Sequence, residues 1–226
     1  MRMLGVFQKS ERVRHIGHLD IQRAVQRGLR RSGLPVAYSN GFNPHILVTF
    51  ASALSTGACG RREIMDVKMA EEVSAEEFLN RMNLAMPPEM QLSEARAVDD
   101  RHPALMASLR AGMYEMILRD KDQAQKLISS IEPMMGREEI RVPRKTKSGI
   151  REVDMKPLIF SLRGEESTLF ATLMLTERES CKPAMILDGL KKEAGIPEEE
   201  EIRTLIVRTQ LLGEDPEGNL KPLETL

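Results

Sequence analysis

The segment His18-Leu19-Asp20 with the eleven residues that follow it, IQRAVQRGLRR to Arg31, and the turn Gly41-Phe42-Asn43-Pro44-His45 decide how this chain is read. In the first, Ile21, Val25, Gly28 and Leu29 recur at helical spacing with Ala24 beside them, and Arg23, Arg27, Arg30 and Arg31 take the other side. This periodicity predicts a helix over 19–31. Asp20 suits its first turn and Ser32-Gly33 stops it. In the second, Asn40-Gly41 is a turn signal. Asn43 is pushed to extended geometry by Pro44.

Working outward, residues 2–8 alternate loosely and read as a strand. Residues 34–39 read as extended, 46–50 as a buried strand and 62–69 as an alternating strand. Ser74 and Glu77 form a capping box that opens a helix with Phe78, Leu79 and Met82 on its apolar side, ended by Pro87-Pro88. Residues 90–98 read as the next strand. After a junction at 99–103, residues 104–109 suit a short helix or the approach to a strand. The order then repeats: strand 112–119, helix 122–135, segments 139–144 and 150–155 around a hairpin tip, strand 168–176, a helix from Pro183 to Glu193 and strand 202–211. The repeat is one of pattern and not of residue identity. The expected fold class is α+β, with two tandem ferredoxin-like (βαββαβ) domains and antiparallel sheets over 1–100 and 104–226, the second carrying a basic hairpin at 141–151. A single larger α+β domain is the alternative.

Composition sets outer bounds. Of 226 residues, 41% are hydrophobic and 30% charged, which fits a globular chain. Trp is absent and aromatics reach only 4%, so the cores must be aliphatic, with many of the 15 methionines filling gaps. Cys59 and Cys181 lie far apart with no CxxC, against a disulfide framework, a zinc site or a cluster. A reducing, cytoplasmic setting is expected. The apolar start is too short for a signal peptide, and the weakly polar run 46–54 is about half a membrane helix, so no membrane role is expected.

With a net charge of -1, a nucleic-acid site must come from clustering. Residues 9–31 hold seven cations against Glu11 and Asp20, a net of +5. Residues 137–151 hold six against Glu138 and Glu139, a net of +4. Arg14, Arg23, Arg27, Arg30, Arg144, Lys145 and Lys147 are the candidate phosphate-binding residues. The plainer alternative is a solvated helix face and a charged loop tip. His18, Asp20, Gly41, Asn43 and His45 are the candidate polar pocket, with His18 and His45 able to serve as acid and base in RNA cleavage. His15, His18, Asp20 and His45 lack a diagnostic ligand spacing, so no metal is expected. The pocket requires that residues 34–39 run back along the helix, about 20 Å in length, and bring the turn to His18. Motifs for dinucleotides, P-loops, iron–sulfur clusters, zincins and serine hydrolases are absent, and no cofactor is expected.

His18-Leu19-Asp20, the run from Leu29 to Ser39 and Gly41-Phe42-Asn43-Pro44-His45 resemble the radical-SAM-linked family of uncharacterised bacterial proteins. Those proteins occur alone or as the C-terminal part of cobalamin-binding-type radical SAM proteins. Residues 145–149, then Glu152-Val153-Asp154 and Pro157, are similar to that family too. Ile46 stands where the family usually has a proline. The resemblance implies a radical SAM protein as partner and a setting in RNA modification or metabolism. It makes an accessory RNA- or partner-binding role the leading expectation. A metal-independent ribonuclease using His18 and His45, and a structural interaction module, are the alternatives.

Overall fold

The computed structural model describes residues 1–146 and 149–226, with the side chains of 144–146 and 150 outside that description. The chain divides into two compact units, Met1–Leu109 with Gln210–Leu226, and Arg110–Thr209. Its class is α+β, with mostly antiparallel sheets. No helix among the described residues is long and apolar enough to cross a membrane.

The first unit runs β1 (Arg2–Lys9), α1 (His18–Ser32), β2 (Val48–Phe50), β3 (Cys59–Lys68), α2 (Ala75–Ala85), β4 (Leu92–Val98) and the short α3 (Leu105–Ser108). β1 pairs antiparallel with β3 on one side and β4 on the other, and β2 pairs antiparallel with β3. The helix stripe read from the sequence is the one that is buried: Ile21, Val25, Gly28 and Leu29. Ile21, Val25 and Leu29 pack with Met3, Phe7 and Met65 of the sheet and with Phe78 and Met82 of α2. Each such side chain contributes about 1.5–3 kcal/mol on burial. Gly28 permits the close approach of α1 to the end of α2, since a Cβ there would stand 2.4 Å from Met86 Sδ. Gly33, at φ +63°, ends α1 in the left-handed conformation that favours glycine. Ser74 caps α2 as expected: its hydroxyl accepts from the Glu77 amide at 3.1 Å. The Glu77 carboxylate accepts from Arg81 at 2.8 Å instead of reaching back.

Two readings in this unit change. The expected strand 46–50 does not run its full length but only over Val48–Phe50; residues 34–39, read as extended, make isolated bridges, Val36 to Met69 and Tyr38 to Ile46. Nor does β3 alternate: Ile64, Met65, Asp66 and Val67 are all buried in succession.

The second unit runs from β5 (Leu109–Leu118) through α4 (Lys121–Ser129), α5 (Ile131–Gly136), β6 (Arg141–Thr146), β7 (Gly149–Asp154), β8 (Ile159–Glu165), β9 (Thr168–Met174) and α6 (Pro183–Glu193) into β10 (Thr204–Glu214). β10 leaves its last residues in the first unit, where β11 (Leu220–Pro222) pairs with it. β9 pairs antiparallel with β5 and β8. β6 and β7 form a separate two-stranded sheet, the expected hairpin. The expected helix 122–135 is broken at Ser130 into α4 and α5. Pro133 has no N–H to give Ser129, so a continuous helix would lose that bond. The core gathers Met116, Leu127, Leu169 and Leu173 under Ile186 and Leu190 of α6.

Candidate functional site

The basic face of α1 is built by the periodicity that buries its other side. Arg23, Arg27, Arg30 and Arg31 are all exposed. The fold supplies several of the expected cations with acids. Arg12 meets Glu89 at 3.6 Å, Arg14 meets Glu11 at 3.2 Å and Arg23 meets Asp20 at 2.9 Å. Arg31 donates to the Ala85 carbonyl at 2.6 Å. Arg27 and Arg30 make no ion pair among the described residues. They are the part of the first cationic cluster that stays open to an anionic ligand. At the second cluster, Arg141 pairs with Glu139 and Arg137 with Glu193, each at 2.7 Å. Lys147 and the side chains of Arg144 and Lys145 lie outside the described residues.

The composite pocket does not form as expected. His18 starts α1 and lies edge-on to Phe50, with ring centroids 5.5 Å apart. It lines a pocket with Lys9, Ser52 and Glu63 whose volume is about 10 Å³, room for about one water molecule. His45 lines a different one, with Arg2, Leu47, Asp66 and Lys68. The reason is the route of the chain. The Ala37 amide donates to the Lys68 carbonyl and the Leu47 amide to the Ala37 carbonyl, each at 2.9 Å. Residues 36–38 and 46–48 therefore stay together beside the end of β3. The return toward His18 is made after the turn, by residues 46–50, so Phe50 meets His18 and His45 stays behind. Asp20 is engaged with Arg23, and Asn43 is exposed in the turn.

The turn itself is well defined. The Ser39 amide donates to the His45 carbonyl at 2.8 Å, the His45 amide to Ser39 Oγ at 3.1 Å, and Ser39 Oγ lies 2.8 Å from His45 Nδ1. Gly41 takes φ +120°, a value that favours glycine. Above this closed base Phe42 is fully exposed, and Tyr38 is 46% exposed.

Sequence reasoning missed two groups of charges. Lys9 and Glu63 are 2% and 5% exposed. A register shift between Phe7 and Lys9 in β1 accompanies the inward turn of Lys9, whose ammonium donates to the Arg14 carbonyl at 2.8 Å. A lysine closing a strand carries no sign that it will be buried. The second group centres on Arg62. It donates to both Glu94 carboxylate oxygens at 2.7 and 2.8 Å and to Glu224 Oε1 at 2.7 and 3.0 Å. Hydrogen bonding to Glu94, opposed in part by burial, holds the Arg62 guanidinium above its ordinary pKa. The same bonds hold the Glu94 carboxyl below its usual value. Arg96 donates to the Glu224 carbonyl at 2.7 Å, and His102 Nε2 lies 3.0 Å from the Leu226 carbonyl. These contacts fasten residues 224–226 to the rest of the first unit.

Among the described residues, no group of three or more His, Cys, Asp or Glu is placed to hold a metal ion. No curated protein matches the chain. Residues 2–183 match the family described as an uncharacterized protein conserved in bacteria (DUF2344), and with most of its length inside that match the chain belongs to this family.

Proposed function

We propose that the protein is a non-catalytic, cytoplasmic RNA-binding module that presents RNA to a radical SAM enzyme supplied by another chain, and that its two units are ferredoxin-like. The strand neighbours support the second half of this reading. In the first unit they run β4, β1, β3, β2, and in the second β10, β5, β9, β8. Each is the order last, first, third, second of a split βαβ pattern, with β6 and β7 as an insertion in the second.

The observation that carries RNA binding is the pair Arg27 and Arg30, exposed on one helix and without acidic partners among the described residues. Like charges at this spacing cost a few tenths of a kcal/mol in isolation, a cost that a phosphate would remove. The resemblance of the Leu29–Ser39 run and the Gly41–His45 turn to radical-SAM-linked proteins supplies the partner. The ribonuclease alternative needs His18 and His45 at one scissile bond, and they line different pockets.

The test is fluorescence anisotropy of labelled single-stranded RNA over a salt series. Binding should weaken with salt, and Arg27→Ala with Arg30→Ala should flatten the logarithmic slope by about 1.4, two phosphates at about 0.7 each. Absence of binding at low salt overturns the reading. RNA cleavage in EDTA that disappears in His45→Ala would replace it with the nuclease.

A further inference from the structure

The turn that failed to reach His18 has another use. From Ile21 to Arg62 the chain contains no aspartate or glutamate at all, while it holds six arginines. The turn stands inside this acid-free stretch. Its base is closed by the three Ser39–His45 contacts, and at its tip Phe42 is fully exposed. Leu19 and Leu84 also stand open, on α1 and α2, whereas Tyr38 and Leu47 on either side of the turn are about half covered or more. Beside the base of the turn lies an open groove of about 350 Å³, lined by Arg2, His45, Leu47, Asp66 and Lys68, a volume in the range of small-ligand sites. Two charges of the groove are matched internally: Arg2 bonds Asp66, and Lys68 pairs with Asp100 at 2.6 Å. Among the described residues the unmatched charges of the first cationic cluster are those of Arg27 and Arg30, and Arg30 lies in the last turn of α1, which residues 33–38 join to this turn.

An aromatic ring held outward on a hydrogen-bonded clasp, in a segment (32–60) that carries no acid to repel a phosphate and no lysine or arginine of its own, has the chemistry of a base-stacking platform. Stacking accepts any base and needs that base unpaired. We infer that the Ser39–His45 turn binds single-stranded RNA, with one base stacked on Phe42 and a neighbouring nucleotide in the groove beside His45. This rests on the RNA-binding reading above and specifies its substrate as unpaired.

The experiment uses the full chain in anisotropy titrations at low salt, with a fluorescein-labelled single-stranded oligouridine and, in parallel, a labelled RNA duplex. Phe42→Ala should weaken single-strand binding about tenfold and leave duplex binding and the melting temperature unchanged. Phe42→Trp should restore the single-strand affinity. If Phe42→Ala leaves single-strand binding intact while Arg27→Ala with Arg30→Ala lowers it, the stacking role is overturned and RNA binding survives. If the unaltered chain binds neither RNA, both readings fall. If Phe42→Ala leaves RNA binding intact but removes a protein that co-purifies with the unaltered chain, the turn is a protein-docking element and the inference is overturned.

Discussion

Replacing Arg62 with alanine tests the charge cluster that holds the C-terminal segment. Arg62 has two arms of different worth. Glu94 is 53% exposed at its side chain, so that arm is a surface pair worth about 0.5–1 kcal/mol. The Glu224 side chain is only 7% exposed. In Arg62→Ala its carboxylate keeps Gln210 Nε2, 2.9 Å from both oxygens, but loses its only cation within salt-bridge reach among the described residues. Stranding a buried charge in this way costs about 2 kcal/mol. The total is about 3 kcal/mol, or a fall of about 1.5 M in the urea midpoint for a typical slope of about 2 kcal/mol per M. Urea unfolding followed by circular dichroism at neutral pH reads it. The pH dependence has a definite sign. Arg62 depresses the folded-state pKa of Glu94, so this arm stabilises fully above the unfolded carboxylate value and is lost as pH falls through the lower folded value. The gap between the parent chain and Arg62→Ala should therefore narrow in acid. A loss below about 1 kcal/mol at neutral pH, or strict additivity with Glu224→Gln in a double-mutant cycle, would refute the argument.

Two further outcomes follow from local structure. Ser74→Ala removes the acceptor of the Glu77 amide and should cost about 1 kcal/mol, a fall of about 3 °C in Tm, while Ser74→Asp should retain most of it. Burial pushes the Cys59 thiol pKa up, and Cys59 and Cys181 are 5% and 1% exposed, so a disulfide reagent at neutral pH should label neither in the folded chain and both in urea; rapid labelling without denaturant would contradict the burial.

Local features were legible in the sequence, and long-range ones were not. The stripe Ile21, Val25, Gly28, Leu29 and the Ser74 cap depend on spacings of three or four residues, and both appear where the spacing put them. β8 escaped notice because it reads as Ile159-Phe160-Ser161-Leu162-Arg163 with only Ile159 buried, so it shows little of the alternation that marks a half-buried strand. β3 looked alternating because Asp66 and Lys68 fall between Met65, Val67 and Met69 and so imply a solvent face, yet the fold covers Asp66. Charge counts along the chain could not register that Arg12 finds Glu89 or that Arg62 finds Glu224. The His18–His45 pocket failed on one choice: whether the chain returns along α1 before the turn or after it. Both routes satisfy Pro35, Asn40-Gly41 and Pro44 equally well, and only the pairing of Ala37 with Lys68 and Leu47 decides between them.

The first unit is discontinuous in sequence, and this bears on its synthesis. Residues 110–209 intervene between its opening segment and the stretch 210–226. During translation β1, β3 and β4 emerge long before Gln210, Glu224 and Leu226 do. Until then Arg62 has only Glu94 to hold, and Arg96 and His102 lack the carbonyls of Glu224 and Leu226 that they hold in the finished fold. The second unit, contiguous along the chain, has no such wait. A nascent chain of this protein thus carries an unfinished first unit until the whole of the second has been made, and residues 210–226 then complete it.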